Sequence, residues 1–214
     1  MVLFPSIFKK MSLTTYKKKR NFRETSEPSG KKRRTVRSLI FVVQEHSASH
    51  LHYDFRLEME GVLKSWAVPK GPSVNPDDRR LAMKVEDHPY EYKDFEGTIP
   101  EGNYGAGNVI VWDKGTYHSV ESEDIKESEK ILLSGLKKGH ISFILQGKKL
   151  KGEFALVQMK GRGENAWLLI KKNDKYASDK NILDKKRSAV SGKILRMRNK
   201  DEKAGSNKRR TSKA

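Results

Sequence analysis

No cysteine occurs among the 214 residues, which excludes disulfides, thiolate metal sites and a cysteine nucleophile together. Any bound metal must be held by His, Asp, Glu and water. No apolar run approaches the roughly 20 residues of a membrane-crossing helix, so no membrane partner is expected. Residues 2–8 are apolar but too few for a signal peptide, and their charges follow rather than precede them. Met11 is an alternative start. The cytoplasm is the expected compartment. Apolar residues are scarce too, at 35% against 34% charged, so part of the chain is expected to lie outside any packed core. Negative charge is also short. Against 45 Lys and Arg stand 27 Asp and Glu, for a net charge of +18. That field attracts polyanions, nucleic acid first among them. A ribosomal or membrane-surface protein would share this balance, so charge alone names no function.

What is present divides the chain into three. Residues 1–37 form a basic arm, partly ordered and contributing to the site. Residues 38–195 form the folded domain, and 196–214 a basic tail without an apolar face, expected to be disordered. Within the domain, short alternating stretches at 39–45, 51–59, 62–68, 80–86, 108–112, 140–146, 153–159 and 167–171 predict strands. Glu60-Gly61, Asp113-Lys114-Gly115 and Gly147-Lys148-Lys149 read as hairpin turns. One helix is predicted over 122–136, acidic at its start and followed by Lys137, Lys138 and Gly139. Many short strands with one helix predict a mainly β fold, a compact antiparallel barrel with flexible basic termini. A monomer is expected.

The chemistry concentrates in the second strand. Alternate side chains of a strand share a face, so Leu51, Tyr53, Phe55 and Leu57 form an apolar face and His52, Asp54 and Arg56 the opposite one. Neighbours on that second face stand roughly 7 Å apart, within reach of one metal ion. A polar strand face is ordinarily just solvated, but solvent tolerates any mixture, and here it holds imidazole, carboxylate and guanidinium. The fourth strand repeats the theme. Leu81, Met83 and Val85 are expected on one face, with Arg80, Lys84, Glu86 and His88 on the other. If the two polar faces meet in a barrel mouth, they form a metal and phosphate pocket. Between them, Pro69 and Pro72 fix an extended turn that presents Lys70. On their own, His88 reads as a surface residue and Lys70 as a turn lysine. The Gly102, Gly105 and Gly107 cluster lacks the spacing and the lysine of a nucleotide loop, and reads as a structural connection.

Four ordered motifs then resemble a known family. They are Gln44-x-His46-x-Ala48-x-x-Leu51-His52-Tyr53-Asp54-Phe55-Arg56-Leu57, Val68-Pro69-Lys70-Gly71-Pro72, Glu86-Asp87-His88-Pro89-x-x-Tyr92 and Phe95-Glu96-Gly97-x-Ile99-Pro100-x-Gly102-x-Tyr104-Gly105. Together they resemble the 3′-phosphoesterase domain of bacterial and archaeal DNA ligase D, from about residue 16 to 171 and weakly to about 195. The resemblance implies an antiparallel β-barrel and a divalent metal, usually manganese, with cobalt or zinc as other occupants. It implies two linked reactions: removal of a 3′-terminal ribonucleoside to leave a 3′-phosphate, then removal of that phosphate to leave a 3′-hydroxyl. It assigns His46, His52 and Asp54 to the metal. Arg56 and His88 fall to the scissile phosphate, with His88 as candidate general acid. Lys70, Arg80, Glu86, Tyr92 and Gln44 complete or support the site. The family's Arg-Asp pair and later Glu in the arm fall on Arg20, Asn21 and Glu27. Asn21 thus replaces the Asp, which bears on the ribonucleoside step. Spacing alone does not choose between His46 and His50 as a ligand; the resemblance does. The implied partners are DNA or DNA/RNA 3′ ends at primer–template junctions. A stand-alone form would work beside a separate ATP-dependent DNA ligase and polymerase.

Two other readings compete. A non-catalytic basic nucleic-acid-binding barrel explains the charge but not the His/Asp face, and predicts binding without metal dependence. An iron-dependent oxygenase could draw on His52, Asp54 and a distant His88, His118 or His140. That reading leaves Arg56 and the basic surface unexplained.

Overall fold

The structure, a computed structural model, describes residues 13–30 and 38–197. The expectations for Met11 and for nearly all of the basic tail lie outside those residues. The strands are β1 Ile40–Ser47, β2 Leu51–Met59, β3 Val62–Val68, β4 Arg80–Lys84, β5 His88–Pro89, β6 Gly97–Ile99, β7 Gly107–Ser119, β8 His140–Gly147, β9 Lys151–Gln158 and β10 Ala166–Lys171. Eight of them close a barrel in the order β1-β2-β3-β4-β10-β9-β8-β7, with β7 returning to β1. Every pairing is antiparallel. β5 and β6 are added outside the ring, on β3 and β7. The predicted β-barrel is therefore what forms.

Local chemistry accounts for most of the path. Glu60 and Gly61 both take positive φ, 54° and 76°, the two-residue turn whose twist matches the strands it joins. Helix α1 is the five-residue Thr14–Lys18 of the arm, and α2 is Ile125–Lys138. The latter starts three residues later than predicted because Asp124 caps it, accepting the Glu127 N–H at 2.9 Å.

Two expectations are corrected. Asp113-Lys114-Gly115 is not a turn; β7 runs through it for 13 residues. A bulge opposite Val43/Gln44 absorbs one extra residue. The Asp113 carboxylate accepts the backbone N–H groups of Lys148, Lys149 and Leu150, so its turn chemistry serves the neighbouring β8–β9 hairpin. The second correction is the facing of β4. Leu81 and Met83 are 43% and 37% exposed, while Ala82 is buried. Lys84 pairs with Trp66, which faces the barrel interior, so Ala82 faces inward and Leu81 and Met83 outward. Trp66 and Trp167 meet edge to face at 6.0 Å there, and β4 places its smallest residue beside them.

The barrel interior holds the main core, including Phe41, Tyr53, Phe55, Trp66, Trp112 and Phe143, with Leu132 of α2 packed into it. A second cluster lies on the outer wall of β1, β3 and β7, where Val42, Leu63 and Val111 meet Tyr16, Tyr92 and Phe95. Tyr16 belongs to the arm, which is thus anchored against the barrel wall.

Candidate metal centre

The polar faces do not converge in a barrel mouth. β2 turns Tyr53, Phe55 and Leu57 into the interior core, which leaves His52, Asp54 and Arg56 on the outer wall. The register of β1 against β2 sets His46 opposite His52 and Gln44 opposite Asp54. One ligand atom from each of His46, His52 and Asp54 lies within 4.8 Å of the others, the only such group among the described residues. None of His88, His118 and His140, the distant histidines of the oxygenase reading, joins that group.

Hydrogen bonds prepare these groups for a cation. His46 Nε2 donates to the Gly105 carbonyl at 2.9 Å, leaving its Nδ1 lone pair 3.6 Å from Asp54 Oδ2. His52 Nδ1 donates to the His50 carbonyl at 3.0 Å, leaving Nε2 3.8 Å from Asp54 Oδ1. Second partners of this kind fix ring tautomer and direction at metal sites. Burial opposes ionisation of Asp54, but the Arg56 guanidinium beside it holds the carboxyl well below the usual carboxylate range. Two imidazoles and a carboxylate are a donor set that fits a divalent ion, so these residues could hold one.

Arg56 is buried and locked on three sides. It donates to Asp54 Oδ2 at 3.1 Å, Gln44 Oε1 at 2.9 Å and Ser65 Oγ at 2.8 Å. Gln44 in turn donates to the carbonyls of Tyr92 and Phe95. A second guanidinium arrives from the arm. Arg20 donates to Glu27 at 2.8 Å, to Glu86 at 3.2 Å and to His88 Nε2 at 3.1 Å, and lies 3.9 Å over the Tyr16 ring. Glu27 is held by the hydroxyls of Tyr92 and Thr25, each at 3.0 Å. His88 Nδ1 donates to the Glu86 carbonyl. Burial, then Arg56 and Arg20, push His88 well below the usual histidine range, so it is neutral and its Nε2 accepts from Arg20. Burial, with Glu27 adding to it, keeps the Tyr92 phenol protonated.

Arg20, His46, His52, Asp54, Arg56, Glu86, His88 and Tyr92 thus line one cavity of about 280 Å³. Gln44 and Glu27 stand directly behind it. Three expected members lie elsewhere. Lys70 is exposed in the turn after β3, and Arg80 is tied to Asp78 at 2.8 Å; neither lines the cavity. Asn21 is exposed and caps a turn, its Oδ1 accepting the Arg23 N–H. A larger cavity of about 790 Å³, beside β8 and β9, includes His118 and Asp174 but gathers no comparable ligand group. Sequence reading missed Ser65 and Lys19, and gave no role to Tyr104 or the carbonyl of Gly105, although both stand in the fourth motif. The glycine cluster there allows close approach: a Cβ on Gly107 would stand 2.2 Å from the Ser47 carbonyl oxygen.

The model of the DNA Ligase D 3′-phosphoesterase domain matches residues 44–158, just over half the chain. The multifunctional non-homologous end joining protein LigD of Pseudomonas aeruginosa is 52% identical over 165 residues, which cover 76% of this chain and 19% of that protein. The protein of the same description from Mycolicibacterium smegmatis is 43% identical over 163 residues, 76% of this chain and 21% of the relative. A LigD from Mycobacterium tuberculosis is 42% identical over 157 residues, 73% and 19%. The chain therefore spans about a fifth of the length of these curated relatives. The matched residues contain the His46, His52 and Asp54 group with Arg56 and His88, and the chain belongs to the DNA ligase D 3′-phosphoesterase domain family.

Proposed function

We propose that this protein is a metal-dependent phosphoesterase that heals DNA 3′ ends, removing 3′-phosphates and 3′-terminal ribonucleosides to leave 3′-hydroxyls for end joining. The observation that carries the reading is one cavity in which two oriented imidazoles and an ionised Asp54 face two buried guanidiniums. His46, His52 and Asp54 would hold a divalent cation, with manganese the expected occupant. When bound, the cation supplies charge neutralisation and polarisation of a phosphate ester.

The chain's own residues supply the remainder. Arg56 and Arg20 hold non-bridging phosphate oxygens, and their fixed partners leave little reorganisation at the moment of reaction. Glu27, Glu86 and Tyr92 position Arg20. Gln44 and Ser65 position Arg56. His88, neutral and accepting from Arg20, acts in this reading as a positioning residue rather than a general acid. Lys70 and Arg80 fall outside the reacting centre. Asn21, where the resemblance puts a carboxylate, sits on an exposed turn outside the cavity lining, so the ribonucleoside step is the one this substitution bears on. The basic composition favours a nucleic-acid substrate, and the relatives' description favours non-homologous end joining; a separate ligase and polymerase are the partners proposed.

The test uses two labelled primer–templates, one ending in a 3′-phosphate and one in a single ribonucleotide. Each is incubated with and without manganese, with wild-type protein and His52→Ala. Metal-dependent conversion of both to 3′-hydroxyl ends, lost in the variant, is expected. Conversion of neither with any divalent metal would sink the enzymatic reading and leave a basic nucleic-acid-binding barrel.

A further inference from the structure

The cavity of the metal group adjoins another. Val85, Glu86 and Tyr104 line both it and a second cavity of about 740 Å³. That larger space lies between α1, the end of β4, the last turn of α2 and the β9–β10 connection. Two lysines that line it, Lys84 and Lys137, make no ion pair with any described residue. Lys84 is half-buried. Burial lowers its proton affinity, with Lys64 adding to the fall against the pull of Asp87, and an arriving anion would offset that cost. Of the two acidic lining residues, Glu86 is already bound to Lys19 and Arg20, and Glu164 is exposed.

Tyr104 stands at the junction of the two spaces. It is 50% exposed, unusual for an aromatic ring beside a buried polar site. The turn that carries it is pinned through the neighbouring Gly105 carbonyl to His46. Lys19 lies 4.4 Å from its ring centroid and donates to its hydroxyl at 3.3 Å. A rigid, exposed aromatic face flanked by cations is how sequence-tolerant proteins stack a nucleobase.

We propose that the second cavity takes the strand leading into the reacting 3′ end, with a base stacked on Tyr104 and the preceding phosphates on Lys84 and Lys137. The proposal rests on the reading that the first cavity receives that end. It gives a role to the larger, lysine-bearing cavity that adjoins the metal group's cavity of about 280 Å³.

The experiment measures binding rather than turnover. A fluorescent 12-nucleotide DNA strand with a 3′-hydroxyl is titrated with full-length wild-type protein, Tyr104→Ala, Tyr104→Phe and the double variant Lys84→Gln/Lys137→Gln, across a salt series. Tyr104→Ala should weaken binding roughly five- to a hundredfold, the range of one lost stack. Tyr104→Phe, which keeps the ring, should restore most of it. The double lysine variant should flatten the dependence of log Kd on log salt by about 1.4, or about 0.7 per phosphate contact on a single strand. Wild-type affinity in Tyr104→Ala together with an unchanged salt slope in the lysine variant overturns the proposal, whether or not the protein turns over substrate. Weakened binding by a protein that converts neither primer–template upholds the groove and overturns only the phosphoesterase reading.

Discussion

The inner and outer faces of β1, β2 and β3 are buried alike and held by different means. Inside the barrel, Phe55 packs between Phe41 and Phe143, with ring centroids at 6.5 and 5.9 Å. One residue along, on the outer wall, Arg56 is 2% exposed and has a partner for each of its three nitrogens. Trp66 Nε1 and Trp112 Nε1 on the inner face are buried without a hydrogen bond, whereas no polar atom of Gln44, Asp54 or Arg56 is in that state. Apolar burial is non-directional and stabilises through area. A buried ion network contributes little net stability but is costly to leave incomplete, so its value here lies in fixed geometry. β2 thus lends one face to the core and the other to the candidate site.

This contrast breaks first at Phe55. Phe55→Ala should cost about 3–5 kcal/mol of stability by urea unfolding, while the folded fraction binds manganese, the proposed occupant, as tightly as wild type. A parallel loss of metal affinity in folded protein would show that the two faces are not separable. The next test sharpens the outer face through pH. The unfolded chain takes up a proton at His88 near pH 6.5, and the folded, arginine-flanked imidazole refuses it. Stability should therefore fall as pH drops below about 6.5, by at most about 1.4 kcal/mol per pH unit from this residue. His88→Gln should show a shallower loss between pH 7.5 and 5. Equal slopes in the two proteins would mean that His88 titrates freely. The smallest effect belongs to β4: Leu81→Ser should change stability by no more than about 0.5 kcal/mol, because Leu81 faces outward. A loss of several kcal/mol would restore the apolar-inward facing that its alternation suggests.

Some of this was legible without coordinates. The period-two pattern of residues 51–59 separates Tyr53, Phe55 and Leu57 from His52, Asp54 and Arg56, because a strand has only two faces. The Glu60-Gly61 turn follows from local conformational preference. What pattern alone could not decide was which histidine joins His52. His50 is two residues from His52 and His46 six, yet the pairing of β1 with β2 sets His46 across from it. His50 contributes its carbonyl instead. The facing of β4 was misread for the same reason. Leu81 and Met83 look like a core face until Trp66 and Trp167, distant in sequence, occupy the interior and leave space for Ala82. By composition alone Arg20 is one charge in a basic run, and only the resemblance singled it out; in the fold Glu27, Glu86 and His88 close around it. Alternation, turn chemistry and the supply of ligand types are local, so the sequence by itself determined them. Register, facing and the gathering of the site depend on contacts between residues far apart in the chain, where a shift of one residue reverses every side chain. Only the tertiary structure decided those.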